Sequence, residues 1–368
     1  MTSSEIEQLK SCLKQVSEIL YNNCDNENLE TFADIEQMVR EQVLEFVSPQ
    51  IGFFFIQTKT GTTQGKKRTI KSCVGEVIIN TKQAQILGIE PYKRHSPLLE
   101  KCTLVLSANE SYQNAQEDMF LLTGIKIGHS TIHRQVQQID NILPDMKQSL
   151  SEVAIDGGTI RLRGEQGEKS QWKEYKVGRL QGIYQGAFFQ DNDSLINWIN
   201  SQKRTRPLFC IGDGHDGVWN IIGEIGEKQH RIEILDWYHL MENLYKTEGN
   251  KHQIDQLKAY LWMGEVAIAI NYLNQEQFLG AHQFSKYLQK HQSRIVNYHY
   301  LSWQKVCSIG SGAVESAVKQ IGHRVKLTGA QWKKENVPKI LQLRCAYLNG
   351  QLGISTVKIQ QSKLMMIN

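Results

Sequence analysis

Three acidic residues sit in settings that suit a hard cation. They are Asp156 in Ala154-Ile155-Asp156-Gly157-Gly158, Asp213 in Ile211-Gly212-Asp213-Gly214-His215, and Glu315 in Gly310-Ser311-Gly312-Ala313-Val314-Glu315-Ser316-Ala317. Carboxylate oxygens that leave coordination positions open for phosphate oxygens select Mg²⁺ or Mn²⁺. Two such ions about 3.5–4 Å apart can activate an attacking oxygen and stabilise a leaving one. Without a cation, three acids brought together would repel one another. Each acid also has a plainer reading. Asp-Gly is strong turn chemistry, and Glu315 stands four residues before Lys319, the spacing of a surface helix pair. The elements must decide whether the three meet.

From residue 150 the chain reads as alternating strands and helices. A short strand over 153–155 ends at Asp156, and segments 172–184 and 186–190 look like an antiparallel pair. Asp193 is placed as the cap of a helix running to about 202. A buried-type strand over 208–211 ends at Asp213, and a helical stretch begins near Gly217. A strand over 231–235 ends at Asp236, residues 240–303 read as helical, and a last helix begins near Ser311. The order β-β-β-α-β-α-β, then a helical block, then a helix is that of a ribonuclease-H-like domain with an all-helical insertion. Strands one and four are neighbours in that topology, so Asp156 and Asp213 should lie close together. The adjoining glycines would leave room for a nucleic-acid backbone.

Several motifs carry a resemblance. AIDGGTIRLR, IGDGHDGVW, ILDWYHLMENL and IGSGAVESAVKQIGHRVKLTGAQW closely resemble the ISKra-type DDE transposases of bacterial insertion sequences, part of the Mutator-like group, over about residues 73–350. The resemblance implies that Asp156, Asp213 and Glu315 are the metal-binding catalytic triad. It also implies that Asp236 and His239 match the D-x-x-H signature of that group and orient groups around the metals or the DNA. The plain alternative makes Asp236 a helix N-cap, a role in which Asn or Ser would serve nearly as well. Relatives often carry a cysteine-rich, zinc-ribbon-like element near the N-terminus. Here Cys73 and Cys102 stand alone, so no zinc is expected.

Charge and composition fit this reading without proving it. Hydrophobic residues make up 40% of the 368-residue chain, charged residues 22%, and the formal charge is +4. That describes an ordinary globular chain with a mild basic excess. The cations are concentrated: five and no acid between 57 and 71, including Lys66 and Lys67, and seven against two acids between 310 and 350. Such stripes suit phosphates, although many are only solvated faces. In the second stripe Lys319, His323 and Lys326 return to nearly one helix face, with Arg324 beside them, and these cations are expected to grip DNA flanking the scissile bond. Trp332 could stack on a base, but a core position is favoured. The seven cysteines are scattered and odd in number, which argues against a disulfide framework. No apolar run is long enough to span a bilayer, and the first ten residues show no signal-peptide pattern. The expectation is a cytoplasmic, nucleoid-associated protein with no membrane partner.

Before residue 150, Ile6, Leu9, Leu13, Val16 and Leu20 fall at helical spacing, as do Phe32, Ile35, Val39 and Val43. Residues 53–59 and 68–80 read as extended. Residues 107–142 read as two helices around Gly124, with Ala115, Met119 and Leu122 on one stripe and Ile132, Val136 and Ile139 on the next. The exposed start of the second helix, with Arg134, would be a DNA-recognition helix; an ordinary αα-hairpin is the alternative. The expected divisions are an N-terminal helical and extended region (1–106), a helix-turn-helix region (107–146), a catalytic domain (147–239 and 304–350), an all-helical insertion (240–303) and a tail (351–368). The expected activity is metal-dependent DNA cleavage and strand transfer at element ends, by a chain that forms a homo-oligomer on DNA. The alternatives are a nuclease of the same fold without strand transfer and an inactive DNA-binding relic.

Overall fold

The computed structural model describes residues 1–25, 29–140, 143–165, 168–276, 278 and 280–352; the expected tail beyond 352 and the end of the expected helix-turn-helix at 141–142 lie outside the described residues. The chain divides into two compact units, Met1–Ser107 with Tyr112–Gln135, and Ala108–Ser111 with Val136–Asn368.

The first unit opens with α1 (Ser3–Asn22), started by a capping box between Thr2 and Glu5. Next comes α2 (Phe32–Gln42), with the same device at Thr31 and Asp34. A π-helical stretch, Val43–Val47, leads into α3 (Ser48–Thr60). Here the structure corrects the sequence reading, because 53–59 is helical and not extended. The run Phe53-Phe54-Phe55-Ile56 favours strands by residue type, but Pro49 sits in the first helical turn and Gly61 ends the helix at φ +62°. Both are helix-boundary signals. A hairpin of β1 (Lys67–Ser72) and β2 (Gly75–Asn80) follows. After α4 (Thr81–Ile86) and α5 (Pro97–Ser107) come α6 (Tyr112–Thr123) and α7 (His129–Gln137), separated by Gly124 at φ +74°. Ala115, Met119 and Ile132 are buried with Leu99 in one core. Leu122 is exposed, so it does not belong to the expected stripe.

The second unit is built on a five-stranded sheet in the order β5-β4-β3-β6-β7. Its elements are β3 (Leu150–Leu162), β4 (Gln171–Leu180), β5 (Tyr184–Phe189), α8 (Asn192–Ser201), β6 (Arg204–Gly212), α9 (Asp216–Gly223) and β7 (Arg231–Leu235). The helical block comprises α10 (Trp237–Leu244), α11 (Lys251–Trp262), α12 (Val266–Gln275), α13 (Ala281–His291) and α14 (Tyr298–Trp303); α15 (Gly312–Val325) and α16 (Val337–Leu348) close the unit. The order of strands and helices agrees with the sequence reading. β3 pairs antiparallel with β4 and parallel with β6, and β6 pairs parallel with β7. The sheet is mixed, and the fold is α/β.

Two local readings change. The cap of α8 is Asp191, whose carboxylate accepts from the Ser194 N–H, rather than Asp193. Moreover, β3 does not end at Asp156; it runs on to Leu162 because β4 pairs with it throughout. Gly157-Gly158 is therefore extended strand and not a turn.

Candidate active site

Pairing register puts three acids in a row. Ile155 on β3 pairs with Gly212 on β6, and Gly212 pairs with Leu235 on β7. The next residues are Asp156, Asp213 and Asp236, so all three stand at one level across three adjacent parallel strands, just past the ends of β6 and β7 and midway along β3. The Asp236 N–H donates to the Gly212 carbonyl at 2.9 Å, which holds β7 in step beyond its last paired residue. The ends of parallel strands are where such folds expose functional side chains.

The Asp156 carboxylate is half-buried and its pKa is raised. Burial is the main cause; a bond from the Gly157 N–H opposes it, and the negative charges of Asp213 and Glu315 add to the rise. Asp156 therefore feels both acids that the sequence assigned beside it. Asp156 and Asp213 each use Oδ1 to accept one local N–H, from Gly157 at 2.6 Å and from His215 at 2.9 Å. Among the described residues nothing donates to the second oxygen of either. Each keeps one carboxylate oxygen for an external ligand.

Asp236 is organised differently. It is fully buried; Oδ1 accepts from the N–H groups of Tyr238 at 2.6 Å and His239 at 3.0 Å, and Oδ2 accepts from the N–H and hydroxyl of Ser311. It is thus the N-cap of α10 and also a tie to the residue before α15. Burial works against the ionised form, yet hydrogen bonds from His239 and Ser311 hold the carboxyl down at about 2. The His239 Nδ1 stands 3.6 Å from Oδ2. Bonding to Asp236 raises the imidazole to about 9 against its partial burial, helped by the charges of Asp236, Glu242 and Asp213.

Glu315 lies in the first turn of α15, where Oε1 accepts from the Ser311 hydroxyl at 3.0 Å and Oε2 is 4.0 Å from the Lys319 ammonium. Asp236, His239 and Glu315 each offer a ligand atom, and these atoms lie within 4.8 Å of one another, so the group could hold a metal ion. The expected trio of Asp156, Asp213 and Glu315 does not close to that distance among the described residues. Donor chemistry separates the two sets. Both Asp236 oxygens already accept from protein donors, and His239 would have to give up a proton to bind a metal. Asp156 and Asp213 each keep a free carboxylate oxygen that a cation could use. Among the described residues no cluster of cysteines could serve as a zinc site, and no cysteine is in a disulfide.

A cavity of about 240 Å³ opens beside these acids, lined by Asp156, Asp213, His215, Lys176 and Lys326 among others. Sequence reasoning missed Lys176. It lies on β4 directly opposite Gly157, with its side chain only 13% exposed and its ammonium 3.2 Å from Glu174. A Cβ at Gly157 would meet that ammonium at 3.1 Å, and one at Gly158 would meet the Tyr175 ring at 2.3 Å. The two glycines therefore make room for the protein's own side chains, not for a nucleic-acid backbone as the sequence suggested. No local motif marks Lys176; only its register with Gly157 does. Tyr287 on α13 was also missed. Its buried hydroxyl would be 2.9 Å from a Cβ at Gly214.

The expected DNA contacts divide. Arg134 is exposed on α7, donating to the Thr131 hydroxyl at 3.1 Å, and Lys319 and Lys326 are exposed on or just after α15. Arg324 is only 1% exposed, with its guanidinium 5.0 Å from the ring centroid of Trp332, itself buried. It is a core cation, and the expectation that it grips phosphate does not hold. The basic stripe also loses Arg344, which is buried and donates to the Gln320 carbonyl.

No helix is long and apolar enough to cross a membrane among the described residues. No protein-family model matches the chain, and no curated protein matches it in sequence.

Proposed function

We propose that this chain is a metal-dependent DNA transposase of the ISKra type whose second unit is a ribonuclease-H-like catalytic domain. The observation that carries the reading is the strand register at Ile155, Gly212 and Leu235, which aligns Asp156 and Asp213 beside Asp236. The spare oxygens of Asp156 and Asp213 support it, as does the effect of the Glu315 charge on Asp156.

Asp156, Asp213 and Glu315 would hold Mg²⁺ or Mn²⁺, which supplies activation of the attacking oxygen and stabilisation of the leaving one. Glu315, whose charge already acts on Asp156, would be the third ligand. Asp236 fixes the start of α15 and so keeps Glu315 within reach of the strand ends. Lys176 and Lys326 line the same cavity and suit the phosphate oxygens of the scissile strand. The exposed start of α7, with Arg134, suits recognition of element ends, and the chain would act in the cytoplasm on the nucleoid.

The test uses duplex DNA carrying the sequences that flank the gene, with Mg²⁺ and the purified chain. The expected products are a nick that frees a 3′-hydroxyl and strands joined to target DNA. Asp156→Asn, Asp213→Asn and Glu315→Gln should each abolish both products while leaving DNA binding and melting unchanged, because ligands of one site act as a unit. Cleavage without joining would leave a nuclease. Near-normal cleavage by any one variant would remove that residue from the site.

A further inference from the structure

The first helix has an apolar face that nothing among the described residues covers along most of its length. Ile6, Leu9, Leu13, Val16 and Leu20 follow a 3-4-3-4 spacing along α1, two heptads of alternating a and d positions. Every residue of α1 is exposed except Val16 and Leu20, which are half-buried. Ile6, Leu9 and Leu13 are 40%, 45% and 49% exposed. Helices of this length draw most of their stability from burying one face. Only the far end of α1 approaches α2, around an open groove of about 610 Å³ lined by Leu20, Tyr21, Ile35 and Val39 among others.

We propose that α1 pairs in parallel with α1 of a second copy of this chain, forming a short two-stranded coiled coil. The chemistry of the face selects this occupant. A nucleic acid does not fit, because α1 carries three acids (Glu5, Glu7, Glu18) against two lysines (Lys10, Lys14). A second copy does fit, because an a/d stripe is self-complementary and packs knobs into its own holes. The flanking charges set the direction. With Ile6 at a and Leu9 at d, Glu5 falls at g and Lys10 at the next e position. In a parallel pair these two positions face each other across the interface, so each Glu5 meets the second copy's Lys10, twice by symmetry. An antiparallel pair brings g opposite g, and Glu5 then lies toward the apolar Ile19 end of the other helix. Each Glu5 also closes the capping box of its own helix through the Thr2 N–H at 2.6 Å, so the same carboxylate starts the helix and points its charge along the seam.

The pairing is independent of the catalytic reading, since it needs neither DNA nor metal. Sedimentation velocity of the full chain alone, at micromolar concentration, should give twice the chain mass. Leu9→Lys with Leu13→Lys should give a monomer with an unchanged melting profile for the rest of the chain, because neither side chain is part of the core. Lys10→Glu should weaken association roughly fivefold by setting like charges opposite each other. Adding Glu5→Gln, which keeps the capping box, should recover most of that loss. A monomeric parent, or a dimer that survives the double lysine variant, would overturn the proposal. A Lys10→Glu chain that associates as tightly as the parent would overturn the parallel arrangement.

Discussion

The carboxylate of Asp236 accepts both the backbone N–H and the hydroxyl of Ser311, 75 positions further along the chain. Through this contact the end of β7 sets the position of the first turn of α15, where Glu315 lies. The whole helical block, α10 to α14, leaves the sheet at Asp236 and returns to it just before Ser311. One buried carboxylate therefore marks both ends of the insertion.

That contact predicts a specific defect. Asp236→Asn keeps one acceptor oxygen but turns an amide toward either the α10 or the Ser311 donors, leaving buried N–H groups unpaired. Stability should fall by about 3 kcal/mol, and cleavage should fall with it as Glu315 loses its mount. Ser311→Ala alone should be milder. Urea titration of both single variants and the double should show a coupling of about 1 kcal/mol. Strictly additive effects would mean that the two residues do not act together.

The two glycines after Asp156 should behave oppositely. A methyl at Gly158 has no room beside the Tyr175 ring, and β4 holds the strand in register there, so Gly158→Ala should destabilise by about 3 kcal/mol or prevent folding. A methyl at Gly157 meets only the flexible end of Lys176 at 3.1 Å. Gly157→Ala should fold and melt within about 1 kcal/mol of the parent while displacing the ammonium from the cavity. Thermal melts distinguish the two. Equal melting temperatures would contradict the packing described for Tyr175.

His291 gives stability a pH dependence. It is fully buried beside Trp219 and Tyr287, and burial, with the charges of Arg294 and Lys290, lowers its pKa from 6.5 to about 4. A histidine with a depressed folded pKa is neutral in the native state and takes up its proton more readily when unfolded. Stability should therefore fall as pH drops from about 6.5 to about 4 and be insensitive to this group below that window. Unfolding free energies of the parent and of His291→Gln, measured across this range, should differ in slope, with about 3 kcal/mol of the parent's acid loss absent from the variant. Parallel pH profiles would assign the acid sensitivity elsewhere.

Cations on the surface and in the core should separate by assay. Arg134→Ala should reduce discrimination between cognate and random DNA by about 1–3 kcal/mol. Lys66→Ala or Lys67→Ala should weaken binding to every sequence and flatten its salt dependence. Arg324→Ala should lower the melting temperature and leave the salt slope of binding unchanged, because its guanidinium packs on Trp332 and not on phosphate. A reduced salt slope for Arg324→Ala would show that the side chain reaches DNA after all.

The sequence by itself determined the order of strands and helices in the second unit, because buried strands and amphipathic helices leave different periodicities. It also singled out Asp156, Asp213 and Glu315, since residue type and neighbouring glycines are local properties, while the Asp236–His239 pair drew notice through the motif resemblance. It determined the α6–Gly124–α7 hairpin for the same reason: a left-handed residue between two helices favours glycine. Where several local preferences competed, it misled. The aromatic run at 53–56 looked extended until Pro49 and Gly61 are seen at the two ends of a helix, and Asp156-Gly157-Gly158 looked like a turn until β4 is seen pairing along it.

Only the tertiary structure decided which polar groups face one another. The register of β3, β6 and β7 aligns Asp156, Asp213 and Asp236; the pairing of β4 with β3 sets Lys176 over Gly157; and the return of the chain at Ser311 occupies Asp236 on both oxygens. Burial of Arg324 under Trp332 belongs to the same class, since a helix of mixed charge does not state which cation turns inward. These facts depend on contacts between residues far apart in the chain. Helix and strand periodicities carry information about a residue's own neighbours, and none about which distant side chain will share its space.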